Sequence, residues 1–356
     1  MRRVLHVLPH RGGGAETYID LLEGMEGLVH ARVALSTGRT PASAATSLAA
    51  GIVRARRGAR GADIVHVHGD VAAALAHSPL SGRPWVWTTH GLHFMRRASG
   101  PKLRAIEYAL GRAIATAGAT ICTSQAEHDE LLELAGESAG RLRVVRNGIE
   151  LPALTTQEAR ATARAELGVA QGELCVLFLG ELERRKRPLD AVAAAQRARE
   201  GGAPVVLLVA GEGPQADAVG DRAGDAVRPL GRRRDVNRLL AAADALVMPS
   251  EREGLSFAVL EAMGAGLALV VSDGPGNPEA VGDAGIVVPL GEIDALADVL
   301  AGLAARPLQA RRIGAAGRQR VATALTADAF RGGVAAAYAQ AQAATAPDRA
   351  AAAGRA

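Results

Sequence analysis

Short runs of aliphatic residues alternate with longer segments rich in Ala, Leu and Arg along almost the whole chain, and this alternation constrains the fold more than any other feature. Several of the runs are apolar at every position, which is typical of strands covered by helices on both faces. The alternation predicts an α/β fold with doubly wound parallel sheets. The predicted strands are Val4–Pro9, Ala31–Thr37, Asp63–Gly69, Pro84–Gly91, Ala119–Ser124, Leu142–Ile149, Leu174–Leu182, Val205–Gly211, Ala245–Pro249, Ala268–Ser272 and Ile286–Pro289.

The chain is long enough for two such domains. Its 356 residues are about twice the length of a typical domain. A Thr-rich stretch after Leu151 and a charged helix ending at Leu167 separate the two series of strands. We predict Rossmann-like domains over 1–155 and 156–325, a helix over 326–344 that can return to the first domain, and a disordered tail over 345–356.

The composition argues against nucleic acid as a partner. Aromatic residues make up only 3% of the chain, too few for a surface that stacks single-stranded bases. Residues 1–150 contain 18 Lys and Arg against 13 Asp and Glu, whereas the remainder contains 23 against 24. This modest excess in the first half suits a small anionic ligand or an anionic lipid surface better than duplex nucleic acid.

Two features bear on the cellular compartment. Cys122 and Cys175 lie in apolar runs and form no CxxC pair, as expected of buried thiols in a reducing environment. The apolar run Val4–Leu8 is too short for a signal peptide or a membrane span. We therefore expect a cytoplasmic protein and leave open peripheral contact with the inner face of a membrane.

The segment SEREGLSFAVLEAMGAG at 250–266 carries two glutamates in a pattern suited to an extended ligand. A helix beginning near Ser256 would place Glu253 and Glu261 about 10 Å apart along its axis. The exposed N–H groups of Ser256, Phe257 and Ala258 could bind a diphosphate at the helix N-terminus. The alternative is a solvated loop carboxylate followed by an ordinary N-terminal helix charge.

The chain resembles the retaining glycosyltransferases of family 4 in the order and spacing of several short motifs. These are GGGAET at 12–17, THG at 89–91, SQAE at 124–127, NGIE at 147–150, GELERRK at 180–186, GEGP at 211–214, the paired-glutamate segment and PGNPEAV at 275–281. The resemblance implies a GT-B fold, in which an acceptor-binding domain and a nucleotide-sugar-binding domain face each other across a cleft. It also implies that Glu253 contacts hydroxyls of the donor sugar and that Glu261 holds the ribose.

In the first domain, the resemblance implies roles for a glycine loop and a histidine. Glycines let a backbone approach a phosphate closely, and by resemblance Gly13 and Gly14 reach the donor while Gly12 lies on the acceptor side. His90, at the end of a predicted strand, would lie beside the donor sugar as a catalytic residue. A flexible turn and a structural histidine are the alternative interpretations. His93 and Arg96 are assigned to the acceptor side.

Two further histidines have the spacing of a metal-binding pair. His66 and His68 alternate with aliphatic residues on a predicted strand, but no Cys or carboxylate accompanies them at a suitable distance. We therefore expect neither a metal ion nor any other cofactor.

The cationic run at 184–187 follows a predicted strand and could stabilise a departing diphosphate without a metal. Lys186 matches the family motif and is predicted to be catalytic. Glu181 occupies the position where the family has arginine, and a carboxylate there would repel the diphosphate. Either Arg184 or Arg185 replaces the missing cation, or Glu181 points away, or the site is impaired.

Gly211 and Gly231 lie at the ends of successive strands of the second domain and are predicted to line the nucleobase pocket through backbone groups. Neither GxGxxG nor GxxxxGK[ST] occurs, which disfavours a dinucleotide-dependent oxidoreductase.

The resulting hypothesis is a retaining glycosyltransferase that uses a nucleotide-diphosphate sugar. A UDP-sugar is favoured, and a GDP-sugar is left open. The acceptor would be a carbohydrate, a lipid-linked sugar or a small molecule, with cell-surface polysaccharide or glycolipid synthesis as the favoured context. The alternatives are glycosylation of a soluble metabolite, a sugar-nucleotide epimerase with a GT-B-like fold, and a catalytically silent binding module.

Overall fold

The computed structural model describes residues 1–10, 12–36, 41–77, 80 and 82–353, with side chains outside 41–46 and 346–353. The chain forms two compact units, one of Met1–Asn147 with Ala327–Ala356 and one of Gly148–Thr326. The first crossing between units therefore lies after Asn147, eight residues before the predicted boundary. No described helix has the length and apolar character needed to cross a bilayer.

The described part of the first unit contains a six-stranded parallel sheet in the order β2-β1-β3-β4-β5-β6. Its strands are β1 (Arg2–Leu8), β2 (Leu28–Ala34), β3 (Ile64–His68), β4 (Trp85–Thr88), β5 (Ala119–Cys122) and β6 (Leu142–Val144). Its helices before the crossing are α1 (Gly14–Leu22), α2 (Pro41–Arg60), α3 (Asp70–Ala76), α4 (His93–Arg96), α5 (Gly100–Thr116) and α6 (Gln125–Ala135). A 3₁₀ turn spans Gly136–Arg141.

The described part of the second unit repeats this architecture with the strand order β12-β11-β10-β7-β8-β9, again all parallel. The strands are β7 (Leu174–Leu179), β8 (Val205–Ala210), β9 (Val227–Gly231), β10 (Ala245–Met248), β11 (Ala268–Ser272) and β12 (Ile286–Val288). The helices are α7 (Gln157–Glu166), α8 (Pro188–Glu200), α9 (Ala216–Gly220), α10 (Val236–Ala242), α11 (Phe257–Gly264), α12 (Asn277–Val281), α13 (Ile293–Ala305) and α14 (Pro307–Ala324). Short 3₁₀ turns span Arg184–Lys186 and Gly282–Ala284.

The last helix, α15 (Ala327–Ala353), belongs to the first unit although it follows the second in sequence. Its Phe330 and Tyr338 are buried, and the Phe330 ring packs edge-on against Tyr18 of α1 at 4.6 Å. The backbone is helical through Ala353, where the sequence predicted a disordered tail from 345. Alanine has the highest helix propensity of all residues, so an alanine-rich composition extends a helix without anchoring side chains.

Every predicted strand overlaps an observed one, although Thr37 lies outside the described residues. The prediction missed β9, whose sequence VRPLG contains an arginine and a proline. This strand is at the edge of its sheet, where proline costs no ladder hydrogen bond and one side is open to polar groups. The fold class predicted from the alternation, two doubly wound parallel sheets, is confirmed.

The two faces of the first sheet differ in chemistry. One face packs Leu5, Val67 and Trp87 into an apolar core against α3 and α5. Because side chains alternate along a strand, the neighbouring positions of β1 and β3 point to the opposite face. There the buried residues include His6 and His66, with Tyr18 and Tyr338 packed against the rings. A buried polar face of this kind requires hydrogen-bond partners for every ring.

Candidate active site

In the second unit, Lys186 and Glu253 form a buried ion pair. The 3₁₀ turn after β7 carries Lys186, and the loop after β10 carries Glu253; Lys186 Nζ donates to Glu253 Oε1 over 2.6 Å. Burial by itself would raise the pKa of Glu253, but Lys186 and Arg185 outweigh it and hold the pKa below its ordinary value. Both loops lie at the carboxyl edge of a parallel sheet, where such folds bind ligands. The contact brings together two residues that the sequence predicts in one site, and their catalytic roles stay predictions.

Arg185 adds a second cation to the pair. Its Nη1 lies 3.8 Å from Glu253 Oε1, and its Nε lies 2.6 Å from Glu183 Oε1. Arg185 Nη1 is buried without a hydrogen-bond partner among the described residues, so its contact with Glu253 is an ion pair without a hydrogen bond. Arg184 is exposed. Of the two arginines that could replace the missing family cation, Arg185 is therefore the better placed.

Glu181 is exposed, and its Oε2 is 3.9 Å from Arg185 Nη2. Its carboxylate points toward solvent rather than into the Lys186–Glu253 pair. The departure from the family motif at this position therefore does not put an uncompensated negative charge at the buried pair.

The loop that holds Glu253 is fixed by a close approach of two backbones. Glu253 N donates to Pro275 O over 2.9 Å, and Gly276 lies against the Glu253 and Gly254 carbonyls. Any Cβ at Gly276 would be 2.2 Å from Glu253 O, and the φ angle of 87° also requires glycine. Pro275 and Gly276 of the 275–281 motif thus position Glu253.

Helix α11 begins one residue after Ser256, close to the predicted start. Ser256 makes no side-chain capping bond, while Phe257 is buried and Ala258 is half-buried. Glu261 is one turn into the helix, and burial raises its pKa to about 7. A carboxyl group that titrates at neutral pH can both donate to and accept from a ligand hydroxyl.

Gly211 and Gly231 meet at the carboxyl ends of β8 and β9. Gly211 N donates to Gly231 O over 2.9 Å, and a Cβ at Gly211 would be 1.9 Å from Gly180 O. The GEGP loop therefore packs directly on the loop that precedes Lys186. This contact places the predicted base-lining backbone beside the cationic turn of the same unit.

In the first unit, His90 lies at the carboxyl end of β4 in a strained turn. His90, Gly91 and Leu92 have φ angles of 55°, 107° and 50°. A run of left-handed residues that includes two with side chains persists only where surrounding contacts hold it. Burial lowers the pKa of His90 to about 3, so its ring is neutral at physiological pH.

Two buried carboxylates hold this turn. Glu127 accepts from Gly91 N, from Thr89 Oγ1 over 2.5 Å and from both N and Oγ1 of Thr123. Asp70 accepts from the N–H groups at the start of α4, those of Phe94 and Met95. The sequence prediction quoted Glu127 only as part of a motif and missed Asp70. The available signal for Asp70 was an acidic residue directly after a predicted strand, and for Glu127 an acidic residue in the first turn of the following helix.

Arg96 and His93, the two side chains assigned to the acceptor side, both contact the His90 turn. The Arg96 guanidinium is engaged with the Glu130 carboxylate and donates to Gly91 O over 2.7 Å, so it supports the His90 turn and has few donors left for an acceptor. The His93 ring packs on Gly91, whose added Cβ would be 2.4 Å from that ring. Arg96 therefore has a structural role at the His90 turn, and its acceptor-side role stays a prediction.

The glycine loop before α1 is open. Gly12 and Gly13 have positive φ angles of 92° and 76°, and a Cβ at either would meet nothing within 4 Å. Gly14 begins α1. The glycines are thus required by backbone conformation, and the space around them is consistent with close approach of a ligand to the backbone.

The ring nitrogens of His6, His66 and His68 lie close enough together, within 4.8 Å, to raise the question of a metal ion. Every one of these nitrogens is hydrogen-bonded to another side chain. The rings of His66 and His68 are stacked 4.2 Å apart. The donor set as arranged is that of a hydrogen-bond network.

The architecture defines the structural class. The chain superposes on HepE from Anabaena, solved with UDP-glucose, with a TM-score of 0.80 at 18% identity, covering 94% of this chain and 98% of that one. It also matches sucrose-phosphate synthase of Thermosynechococcus elongatus with a TM-score of 0.79 at 21% identity, covering 97% and 100% of the two chains. These likenesses establish the GT-B fold.

The sequence then gives the family. Residues 9–152 match the family described as Glycosyltransferase Family 4, and residues 173–306 match Glycosyl transferases group 1. Alpha-maltose-1-phosphate synthase of Mycolicibacterium smegmatis is 31% identical, over 78% of this chain and 79% of that protein. Glycogen synthase of Mycobacterium tuberculosis is 32% identical over 73% of this chain, and the chain spans 64% of that protein's length. The chain belongs to the family 4 glycosyltransferases.

Proposed function

We propose that this protein transfers a glycosyl group from a nucleotide-diphosphate sugar, with a UDP-sugar as the first candidate, to an acceptor hydroxyl. The bond between the anomeric carbon and the diphosphate breaks, a bond to the acceptor oxygen forms on the same face of the sugar, and the configuration is retained. The acceptor proton leaves with the products, and no metal ion is required.

The observation that carries this proposal is the buried cluster of Lys186, Glu253 and Arg185. A cation held at a fixed position stabilises the charge that develops on a departing diphosphate, because it needs no reorganisation during the reaction. The Lys186 ammonium and the Arg185 guanidinium provide such charge. Glu253, kept ionised by the same cations, can accept hydrogen bonds from sugar hydroxyls.

The relatives support a UDP-sugar and a saccharide product. HepE was solved with UDP-glucose, with UDP and glucose, and with UDP. Relatives that are similar in sequence include glycogen synthase and alpha-maltose-1-phosphate synthase. We therefore assign the nucleotide to the second unit and the acceptor to the first, with a carbohydrate acceptor preferred over a lipid-linked one.

The test incubates the purified protein, in the presence of EDTA, with UDP- and GDP-sugars and a panel of maltooligosaccharides and sugar phosphates. We expect a nucleoside diphosphate to be released only when an acceptor is present. We also expect NMR to show the same anomeric configuration, axial or equatorial, in the product as in the donor. Epimerised sugar nucleotide with donor alone, an inverted linkage, or turnover that EDTA abolishes would each contradict the proposal.

A further inference from the structure

A line of imidazoles crosses the first unit. It begins at half-buried His30 on β2, passes through His6 on β1 and His68 on β3, and ends at half-buried His90 after β4. His6 and His68 are fully buried. The parallel register makes this line possible, because His6 lies opposite His66 and side chains two residues apart share a face.

Each ring in the line is hydrogen-bonded to the next. His30 Nδ1 is 2.8 Å from His6 Nε2, His6 Nδ1 is 2.9 Å from His68 Nε2, and His68 Nδ1 is 2.9 Å from His90 Nε2. We call these four residues the imidazole chain. His90 Nδ1 has no hydrogen-bond partner among the described residues.

The proton count of the imidazole chain leaves only two arrangements. A neutral imidazole has one N–H donor and one lone pair, so each internal ring must donate on one side and accept on the other. All four rings are disfavoured as cations, chiefly because of burial, which lowers the pKa of each one. The chain therefore carries its protons either all on Nδ1 or all on Nε2.

The end of the chain at His30 distinguishes the two arrangements. His30 Nε2 is buried and has no hydrogen-bond partner among the described residues. With protons on Nε2, His30 would bury an unpaired N–H, which native structures tolerate less readily than an unpaired acceptor. The charges that face His30 are Glu23 and Arg32, and Arg32 is itself paired with Glu23 and Asp20, so neither sign dominates there.

We propose that His30, His6 and His68 are positioning residues whose common donor direction fixes the single proton of neutral His90 on Nδ1. His90 then presents an uncharged N–H donor at the carboxyl end of β4, suited to a ligand hydroxyl or ring oxygen. The inference builds on the proposed function only in naming a sugar oxygen as the group that receives this hydrogen bond.

A matched control lies beside the chain but outside it. His66 is equally buried and stacks on His68 at 4.2 Å, yet its nitrogens bond to Tyr338 Oη and Thr88 Oγ1. Its tautomer is set by hydroxyls that can each donate or accept. The substitution His66→Gln should therefore leave the proton of His90 on Nδ1.

The first test is the tautomer of each ring in the ligand-free, full-length protein. Long-range ¹H–¹⁵N NMR spectra of ¹⁵N-histidine-labelled protein at pH 7.5, assigned with single His→Gln variants, report which nitrogen carries the proton. We expect the proton on Nδ1 in His30, His6, His68 and His90, with and without EDTA. A proton on Nε2 of His90, or unlike tautomers within the imidazole chain, would overturn the proposal.

A pair of substitutions at His30 tests the coupling across the chain. His30→Glu places an acceptor opposite His6 Nε2 and should reverse all the bonds, moving the His90 proton to Nε2. His30→Lys keeps a donor there and should leave that proton on Nδ1. Thermal unfolding monitors the fold of both variants, and should His30→Glu not fold, the wild-type tautomers remain decisive.

An unchanged His90 tautomer in folded His30→Glu would overturn the proposal. A change in the His6 and His68 spectra on addition of EDTA would also overturn it, because such a change places a metal ion among these rings. Neither readout involves turnover. A protein that transfers no sugar yet shows the expected tautomers would contradict the proposed function alone.

Discussion

Glu261 is a residue whose charge changes near neutral pH. Burial raises its pKa to about 7, so it is mostly protonated at pH 6 and mostly ionised at pH 8. An ionised carboxylate accepts hydrogen bonds from ribose hydroxyls more strongly than a neutral one. We predict that the affinity for UDP rises about tenfold from pH 6 to pH 8, measured by isothermal titration calorimetry.

The terminal phosphate of UDP also ionises between pH 6 and pH 8. Glu261→Gln is the matched control, because its affinity for UDP should still change with the ionisation of this phosphate but not with that of residue 261. The pH dependence attributable to the protein is the difference between the two titrations. Identical profiles for wild type and Glu261→Gln would remove Glu261 from the nucleotide site.

Glu253 is predicted to matter through its charge. Glu253→Gln keeps the size of the side chain but removes the partner of Lys186 and the acceptor for sugar hydroxyls. We expect kcat to fall by about 10²–10³-fold. Glu251→Gln, on the same loop but partly exposed, should change kcat by less than about threefold. Equal losses in the two variants would mean that the loop, and not the Glu253 carboxylate, is what turnover requires.

At the level of elements, the turn from His90 to Leu92 depends on a carboxylate in α6. Glu127 accepts four hydrogen bonds in a fully buried setting. In Glu127→Gln, the side-chain NH₂ group would face N–H and O–H donors that bond to the carboxylate in the wild type. Because these donors would lose their acceptor, we predict a loss of about 2–4 kcal/mol in the free energy of unfolding. Urea denaturation followed by circular dichroism measures this loss.

The control for this substitution is Glu133→Gln, an exposed residue on the same helix, for which a change within about 0.5 kcal/mol is expected. A loss of less than about 1 kcal/mol for Glu127→Gln would show that the turn is held by other contacts.

The sequence predicts elements well where their signal is local. The aliphatic runs of β7 and β11 identify buried strands, and Ser256 correctly predicts the start of α11. The edge strand β9 has no such run. Two contacts could not be predicted: the hydrogen bond from Gly91 N to Glu127 and the hydrogen bond between His6 and His68. In each contact, only the order of the strands in the sheet brings the two residues together.

At the level of the whole molecule, the chain returns to its first unit through α15. Phe330 is fully buried and packs on Tyr18 of α1, and Tyr338 donates to or accepts from His66. We predict that Phe330→Ala lowers the free energy of unfolding of the first unit by about 3–5 kcal/mol, as measured by urea denaturation.

The second unit should respond separately. UDP should raise the apparent stability of the second unit by mass action in wild type and in Phe330→Ala alike. Leu308→Ala on α14, where the side chain is 73% exposed, serves as the neutral control. A Phe330→Ala protein with wild-type stability would contradict the assignment of α15 to the core of the first unit.

The arrangement of charge in the second unit compensates for a change in the family motif. Glu181 replaces the expected arginine but is exposed, and Arg185 lies 3.8 Å from Glu253 instead. The sequence alone left three outcomes open here, because the direction of a long side chain depends on packing that no motif encodes.

The central claim is that Lys186 and its partners bind the diphosphate of a nucleotide sugar without a metal. The most direct measurement is calorimetric titration of UDP-glucose into wild type and Lys186→Met in EDTA, with Arg184→Met as the exposed control. We predict that wild type and Arg184→Met bind within about threefold of each other and that Lys186→Met binds about 100-fold more weakly. Equal affinity in wild type and Lys186→Met, or no binding by wild type until a divalent cation is added, would contradict the account.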